Sequence, residues 1–68
     1  MKPSEQVDAA FEVASQLGID RERVTAAANS VDATLRVTLR GSTELERSAF
    51  LGLLRAKVPV AVACEVAW

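Results

Sequence analysis

The side chains that could do chemistry are few and scattered along this chain of 68 residues. It has no histidine and no tyrosine, and its one cysteine, Cys64, lies inside an apolar run. A reactive thiol needs a nearby base or a helix N-terminus, and a histidine base or a His-bearing metal cluster needs the residue that is missing. The glycines stand singly, which argues against a phosphate-binding loop. We therefore interpret Cys64 as a small buried side chain and expect no bound metal or cofactor.

The remaining polar candidates have structural explanations. Ser30 and Ser48 have no base beside them in the sequence. Glu44 and Glu46 open an apolar periodic run, where carboxylates stabilise the first turn of a helix through its dipole. The sequence therefore predicts a protein that is not an enzyme.

The composition indicates one small globular domain, residues 1–68. Hydrophobic residues make up 50% of the chain, but alanine and valine dominate, and the only aromatics are Phe11, Phe50 and Trp68. Each buried methylene contributes about 0.8 kcal/mol, whereas ordering a residue costs roughly 1.5 kcal/mol. A core of small side chains is therefore marginal alone, and self-association or docking on a larger partner would stabilise it.

Charge and hydropathy argue against two classes of partner. The formal net charge is -1, and basic and acidic residues are mixed along the chain. A nucleic-acid-binding protein usually presents a basic face, so we do not expect nucleic acid as the partner. The N-terminal MKPSEQVD has no apolar leader, and no run approaches the roughly 18 apolar residues of a membrane span. We expect a cytoplasmic protein, or a component of a larger particle assembled there.

Residues 3–20, PSEQVDAAFEVASQLGID, have the pattern of an amphipathic helix with its start and end signals. Pro3 and Ser4 mark its start, with Ser4 as the expected N-cap. Gly18 suits the left-handed position after a helix, and Ile19 supplies the hydrophobic contact that often follows. The apolar residues at helical spacing are Val7, Ala10, Phe11, Ala14 and Leu17.

Residues 31–40 alternate strictly between apolar and polar types, which predicts a strand with one face in the core. We expect Leu35 and Val37 to be buried, and Arg36 and Thr38 to be exposed.

Residues 43–57 predict a second helix. Thr43 and Glu46 have the spacing of a capping box, and Pro59 stops the helix. We interpret Gly52 as a point of close approach to a strand. The predicted apolar face consists of Leu45, Ala49, Phe50, Leu53, Leu54 and Ala56.

Residues 21–29 leave two interpretations open. Asp20 could cap a short helix, because the alanines at 26–28 are good helix formers. Alternatively, residues 24–28 form a strand, and Asn29-Ser30 turns it into the alternating strand as a hairpin. We favour the hairpin, because it gives the sheet a third strand.

The final run, VPVAVACEVAW, predicts the last strand. The helical connection before it is long enough for a right-handed parallel crossover from the alternating strand. The even positions from Val58 through Cys64 to Trp68 continue the core face, so we expect Trp68 to anchor the edge of the core. The predicted fold is a small two-layer α+β domain of order αββαβ, whose three-stranded sheet has both helices packed on one face.

The opposite face of this last strand is small and nearly uncharged. Ala61 and Ala63 lie there with Glu65, and Arg36 and Arg40 lie on the same face of the neighbouring strand. Because both helices are expected on the other side, this face would be bare, and a bare apolar surface is typical of a docking site. We predict that these residues bind another protein chain.

The stretch LRVTLRGSTELERSAFLGLLRAKVPVAVACEV resembles the bacterial BON domain, an αββαβ module. The family's hairpin glycine is absent, and its Pro-Gly-Val before the last strand is reduced to Pro59-Val60. The resemblance implies an association with envelopes and with phospholipid or ligand binding, and it assigns no site residue here. The matching positions are Thr43, Glu44, Glu46 and Arg47.

Together these features predict a small non-enzymatic interaction module that is homo-oligomeric or one component of a larger assembly. Chains of this kind are common among phage-encoded structural and inhibitor proteins. The alternatives are a BON-like lipid- or ligand-binding domain and a nucleic-acid-associated protein. Co-sedimentation with liposomes would support the first alternative, and salt-sensitive retention on DNA would support the second.

Overall fold

The computed structural model describes all residues, 1–68, and confirms the small α+β fold. The strands are ordered β1-β2-β3 in the sheet, with β1 and β2 antiparallel and β2 and β3 parallel. A 3-10 turn, Arg21–Arg23, precedes β1. The elements are α1 (Pro3–Gln16), β1 (Val24–Asn29), β2 (Thr34–Arg40), α2 (Glu44–Arg55) and β3 (Ala61–Ala67).

The core lies between one face of the sheet and the two helices. On β2, Leu35, Val37 and Leu39 are fully buried, as their alternation predicts. Helix α1 packs on β1, α2 packs on β3, and the helices contact each other, so that Phe50 and Leu54 of α2 are also fully buried. The other buried apolar residues are Ala9, Ala10, Val13, Ala14, Ile19, Val24 and Val58.

The hairpin interpretation of residues 24–29 is confirmed, but the predicted start of the next strand at residue 31 is wrong. Asn29 pairs with Thr34, so residues 30–33 form the turn, and Val31 is 95% exposed. The side-chain oxygen of Asn29 accepts a hydrogen bond from the Val31 amide at 2.9 Å. Ala33 adopts a left-handed φ of 52° to close the turn. Local hydrogen bonding by Asn29 therefore overrides the alternation.

The predicted start and end signals of α1 are correct except for the N-cap. Gly18 has a φ of 71°, and the Ile19 amide donates to the Ala14 carbonyl at 2.8 Å. At the other end Ser4 is not the N-cap, because Lys2 holds that position without a side-chain hydrogen bond. Pro3 is already helical, since its fixed φ suits the first turn.

The capping box of α2 is present as predicted. Thr43 Oγ1 accepts from the Glu46 amide at 3.1 Å, and the Thr43 amide donates to Glu46 Oε1 at 2.9 Å. These two bonds satisfy amides that the helix cannot satisfy itself and so define where α2 begins.

The predicted apolar face of α2 is too broad. Phe50 and Leu54 are buried, but Leu45 is 81% and Leu53 40% exposed. Helix α2 rests mainly on β3 and α1, and a helix can turn only one side toward such neighbours. Gly52 is exposed, and a Cβ there would meet nothing within 4 Å, so the predicted close approach to a strand is wrong.

Strand β3 is an edge strand, and its core face is only partly covered. Val62, Cys64 and Val66 pair with the buried residues of β2 yet remain half-buried. The prediction that Trp68 anchors the core edge is wrong, because Trp68 is 98% exposed. The strand ends at Ala67, and neither helix covers the indole ring.

Candidate interaction surface

The second face of the sheet is covered by neither helix. We call it the open face, and none of its side chains is buried. Apart from two arginines and one glutamate, it presents only alanine, threonine and asparagine. Its residues are Thr25, Ala27 and Asn29 of β1, Thr34, Arg36, Thr38 and Arg40 of β2, and Ala61, Ala63, Glu65 and Ala67 of β3.

The predicted partner-binding residues all lie on this open face. Arg36 is the register partner of Ala63, and Glu65 follows two residues later on the adjacent strand. Ala61, Arg36, Arg40 and Glu65 are exposed, whereas Ala63 is half-buried. The sheet register thus assembles residues from distant parts of the sequence into one surface.

Arg40 is held within its own chain. Its Nη1 donates to Thr25 Oγ1 at 2.5 Å, and its Nη2 donates to the carbonyl oxygen of Glu22. The side chain therefore reaches toward β1 and fastens the 3-10 turn to the sheet. These two bonds fix the position of the Arg40 side chain, which keeps its positive charge.

Arg36 and Glu65 differ from Arg40 because neither forms a side-chain hydrogen bond within the chain, whereas Arg40 forms two. None of the three forms an ion pair, since the ion pairs of the structure are Arg23–Glu46, Arg47–Glu44 and Lys57–Glu12. Arg36 and Glu65 are therefore two exposed and opposite charges without a polar contact in the chain, among small side chains of the open face.

Cys64 lies on the helix-covered side of β3. Burial raises the pKa of its thiol, and nearby Arg47 offsets this only in part. Arg47 pairs with Glu44, and this hydrogen bond holds the pKa of the Glu44 carboxyl below its usual value. Arg47 also donates to the carbonyl oxygen of Cys64 at 3.4 Å, so it lies along the edge of β3. The thiol has no base that would activate it.

Cys64 is expected to react slowly with an aromatic disulfide reagent at pH 8 in the native state. The thiolate is the reacting species, and the raised pKa leaves less of it than in an unfolded chain. As the pH is raised, the labelling rate of the native protein should increase at a higher pH than the labelling rate of the protein in urea. Native labelling as fast as labelling in urea would contradict the placement of this side chain.

A polar cluster that the sequence did not predict joins the 3-10 turn to the loop before α2. Arg23 Nε donates to the Arg40 carbonyl at 2.9 Å, and its Nη2 donates to the Gly41 carbonyl at 3.0 Å and to Ser42 Oγ at 2.9 Å. Ser42 is only 1% exposed. These bonds link residues about a quarter of the chain apart, so no local pattern signals them.

The surface has two concave regions. A depression of about 390 Å³ is lined by Phe11, Ser15 and residues 18–21, with the Arg21 guanidinium 4.3 Å from the Phe11 ring centre. A second, of about 300 Å³, lies between Met1, α1 and Lys57, and three of its six lining residues are carboxylates. The structure contains no cluster of three or more side chains that could hold a metal ion.

The outer side of α2 is a second bare apolar surface. Leu45 and Leu53 are exposed there with Ala49, Gly52 and Ala56 between and beyond them. The sequence pattern assigned these residues to the core, so this surface was missed. It carries no unpaired charges among its apolar residues, unlike the open face.

Comparisons with protein-family models, with curated proteins and with solved structures find no match for this chain. The resemblance to BON domains therefore stays a prediction. None of the helices has the length and apolar character needed to cross a membrane.

Proposed function

We propose that this protein is a non-enzymatic interaction module that binds another protein chain through the open face of its sheet. The observation that carries the proposal is the position of both helices on the same side, which leaves a whole sheet face uncovered. We further propose the cytoplasm as its setting, where a single unpaired cysteine stays reduced.

The chemistry of the open face supports this role. Alanine loses no side-chain freedom on burial, and threonine has few rotamers to lose, so ordering this surface costs little entropy. Small side chains also let a second surface approach a sheet to about 10 Å. Arg36 on the central strand and Glu65 on the edge strand add charges that can orient a partner.

Ala63→Glu is expected to abolish partner binding while leaving the fold intact. The new carboxylate would stand halfway along β3, beside Arg36 of the central strand, and would be desolvated on association, at a cost of several kcal/mol. The measurement is co-purification with a tagged copy expressed in the source organism, scored for untagged copies of the chain and for other proteins.

The matched control is Ala49→Glu, which adds the same charge on the exposed side of α2. At least one protein chain should co-purify with the tagged wild type and with tagged Ala49→Glu, but not with tagged Ala63→Glu. If the chain co-purifies with Ala63→Glu but not with Ala49→Glu, the contact lies on the outer side of α2 instead. Retention of nothing by the wild type would refute the proposed function.

A further inference from the structure

We infer that the chain bound by the open face is a second copy of this protein, with Arg36 of each copy paired to Glu65 of the other. This inference rests on the proposed function and names its partner. Two sheets would pack face to face about a two-fold axis, with the helices of both copies on the outside.

The first argument is charge complementarity. Arg36 and Glu65 are both exposed, and both lack an ion-pair partner within the chain. They lie on adjacent strands and two register positions apart, which places them about 8 Å from each other. In a two-fold dimer every contact occurs twice, so one positive and one negative group on the same face can satisfy each other across the axis.

The second argument is that the rest of the face carries only one further charge, that of Arg40. The Arg40 side chain is held against β1 by the Thr25 hydroxyl and the backbone carbonyl of Glu22, and the other residues are alanine, threonine and asparagine. Arg36 and Glu65 are therefore the charged side chains of this face that are free to reach across the axis. The outer side of α1 is different, because Glu5, Asp8 and Glu12 would meet their own copies there.

The size of the open face sets the strength of the dimer. Three strands about seven residues long cover roughly 300 to 350 Å². This footprint is small beside the roughly 800 Å² that each partner buries in a standard interface. The dimer should therefore be weak, and its dissociation must be followed up to about 1 mM protein.

The test uses two charge reversals, Arg36→Glu and Glu65→Arg, followed by sedimentation velocity of each purified variant and of their equimolar mixture. Each variant alone opposes like charges at both contacts, so its self-association should weaken tenfold or more relative to the wild type. The mixture restores opposite charges at both contacts. A heterodimer should therefore form in the mixture at wild-type strength.

Arg55→Glu is the control, because it reverses an exposed charge on α2 and should leave dimerisation unchanged. Both test residues are exposed, and circular dichroism should confirm that the variants keep the fold. A wild type that stays monomeric at 1 mM, reversals that dimerise like the wild type, or a mixture that does not dimerise would each overturn the inference. If the co-purification test still identifies a different chain that Ala63→Glu loses, the proposed function stands and only the second copy is refuted.

Discussion

Phe50→Ala should lower the free energy of unfolding by about 3 to 5 kcal/mol. Phe50 is the largest fully buried side chain and packs where α2 faces α1 and the sheet. Seven of the eleven other core residues are alanine or valine, which are too short to fill the space that the ring leaves. A domain of this size commonly has only about 3 to 5 kcal/mol to lose, so the variant should be largely unfolded at 25 °C.

Urea titration followed by far-ultraviolet circular dichroism measures this effect. Phe50→Leu is the control, because it keeps most of the apolar volume and should remain folded, with a loss near 1.5 kcal/mol or less. Leu45→Ala removes a comparable apolar side chain from the exposed side of the same helix and should cost under about 1 kcal/mol. Equal losses for Phe50→Ala and Leu45→Ala would contradict the orientation of α2.

The order of the elements could be predicted from the sequence because each signal is local. Alternation over Leu35, Val37 and Leu39 identifies a half-buried strand, and the Thr43–Glu46 spacing identifies a helix start. A helical connection of this length then makes β2 and β3 parallel. The open face follows from this topology. Helix α1 precedes the hairpin, helix α2 forms the crossover, and both helices pack on the same side of the sheet.

The predictions of burial were wrong for apolar residues that no helix or strand covers. Leu45 and Leu53 have helical spacing to Phe50 but lie on the side of α2 that no element covers. Trp68 is at an even position, like the other residues predicted for the core face, but it follows the last residue of β3. Apolar periodicity reports which side chains can share a face, whereas burial also requires a neighbouring element above that face.

The residues of the open face could be predicted from the sequence, but not which of its charged side chains are bound within the chain. Arg36 and Arg40 are equivalent in the sequence, since both alternate with buried residues of β2. Only the register of β1 against β2 brings Thr25 and the 3-10 turn within reach of Arg40 and leaves Arg36 without a partner. Long-range hydrogen bonds of this kind have no signature in a single sequence.

Arg23→Ala should lower the free energy of unfolding by about 1 to 3 kcal/mol, because it leaves polar groups of the loop before α2 without their donor. The guanidinium satisfies the carbonyl oxygens of Arg40 and Gly41 and the buried hydroxyl of Ser42 at one time. Water can reach part of this cluster, since the Arg23 side chain is 33% exposed, and this sets the loss below that of a fully buried network.

A double-mutant cycle with Ser42→Ala measures the hydrogen bond between Arg23 and Ser42 separately from the other contributions of the arginine. Ser42→Ala removes the hydroxyl together with its need for a partner, so Arg23→Ala should cost less in that background, and the difference measures the coupling of the pair. Arg23→Lys should recover only part of the stability, because an ammonium group cannot reproduce the planar fork that contacts all three acceptors. Additive losses in the cycle would show that Arg23 and Ser42 are not coupled, and a lysine variant as stable as the wild type would show that Arg23 contributes only a surface charge there.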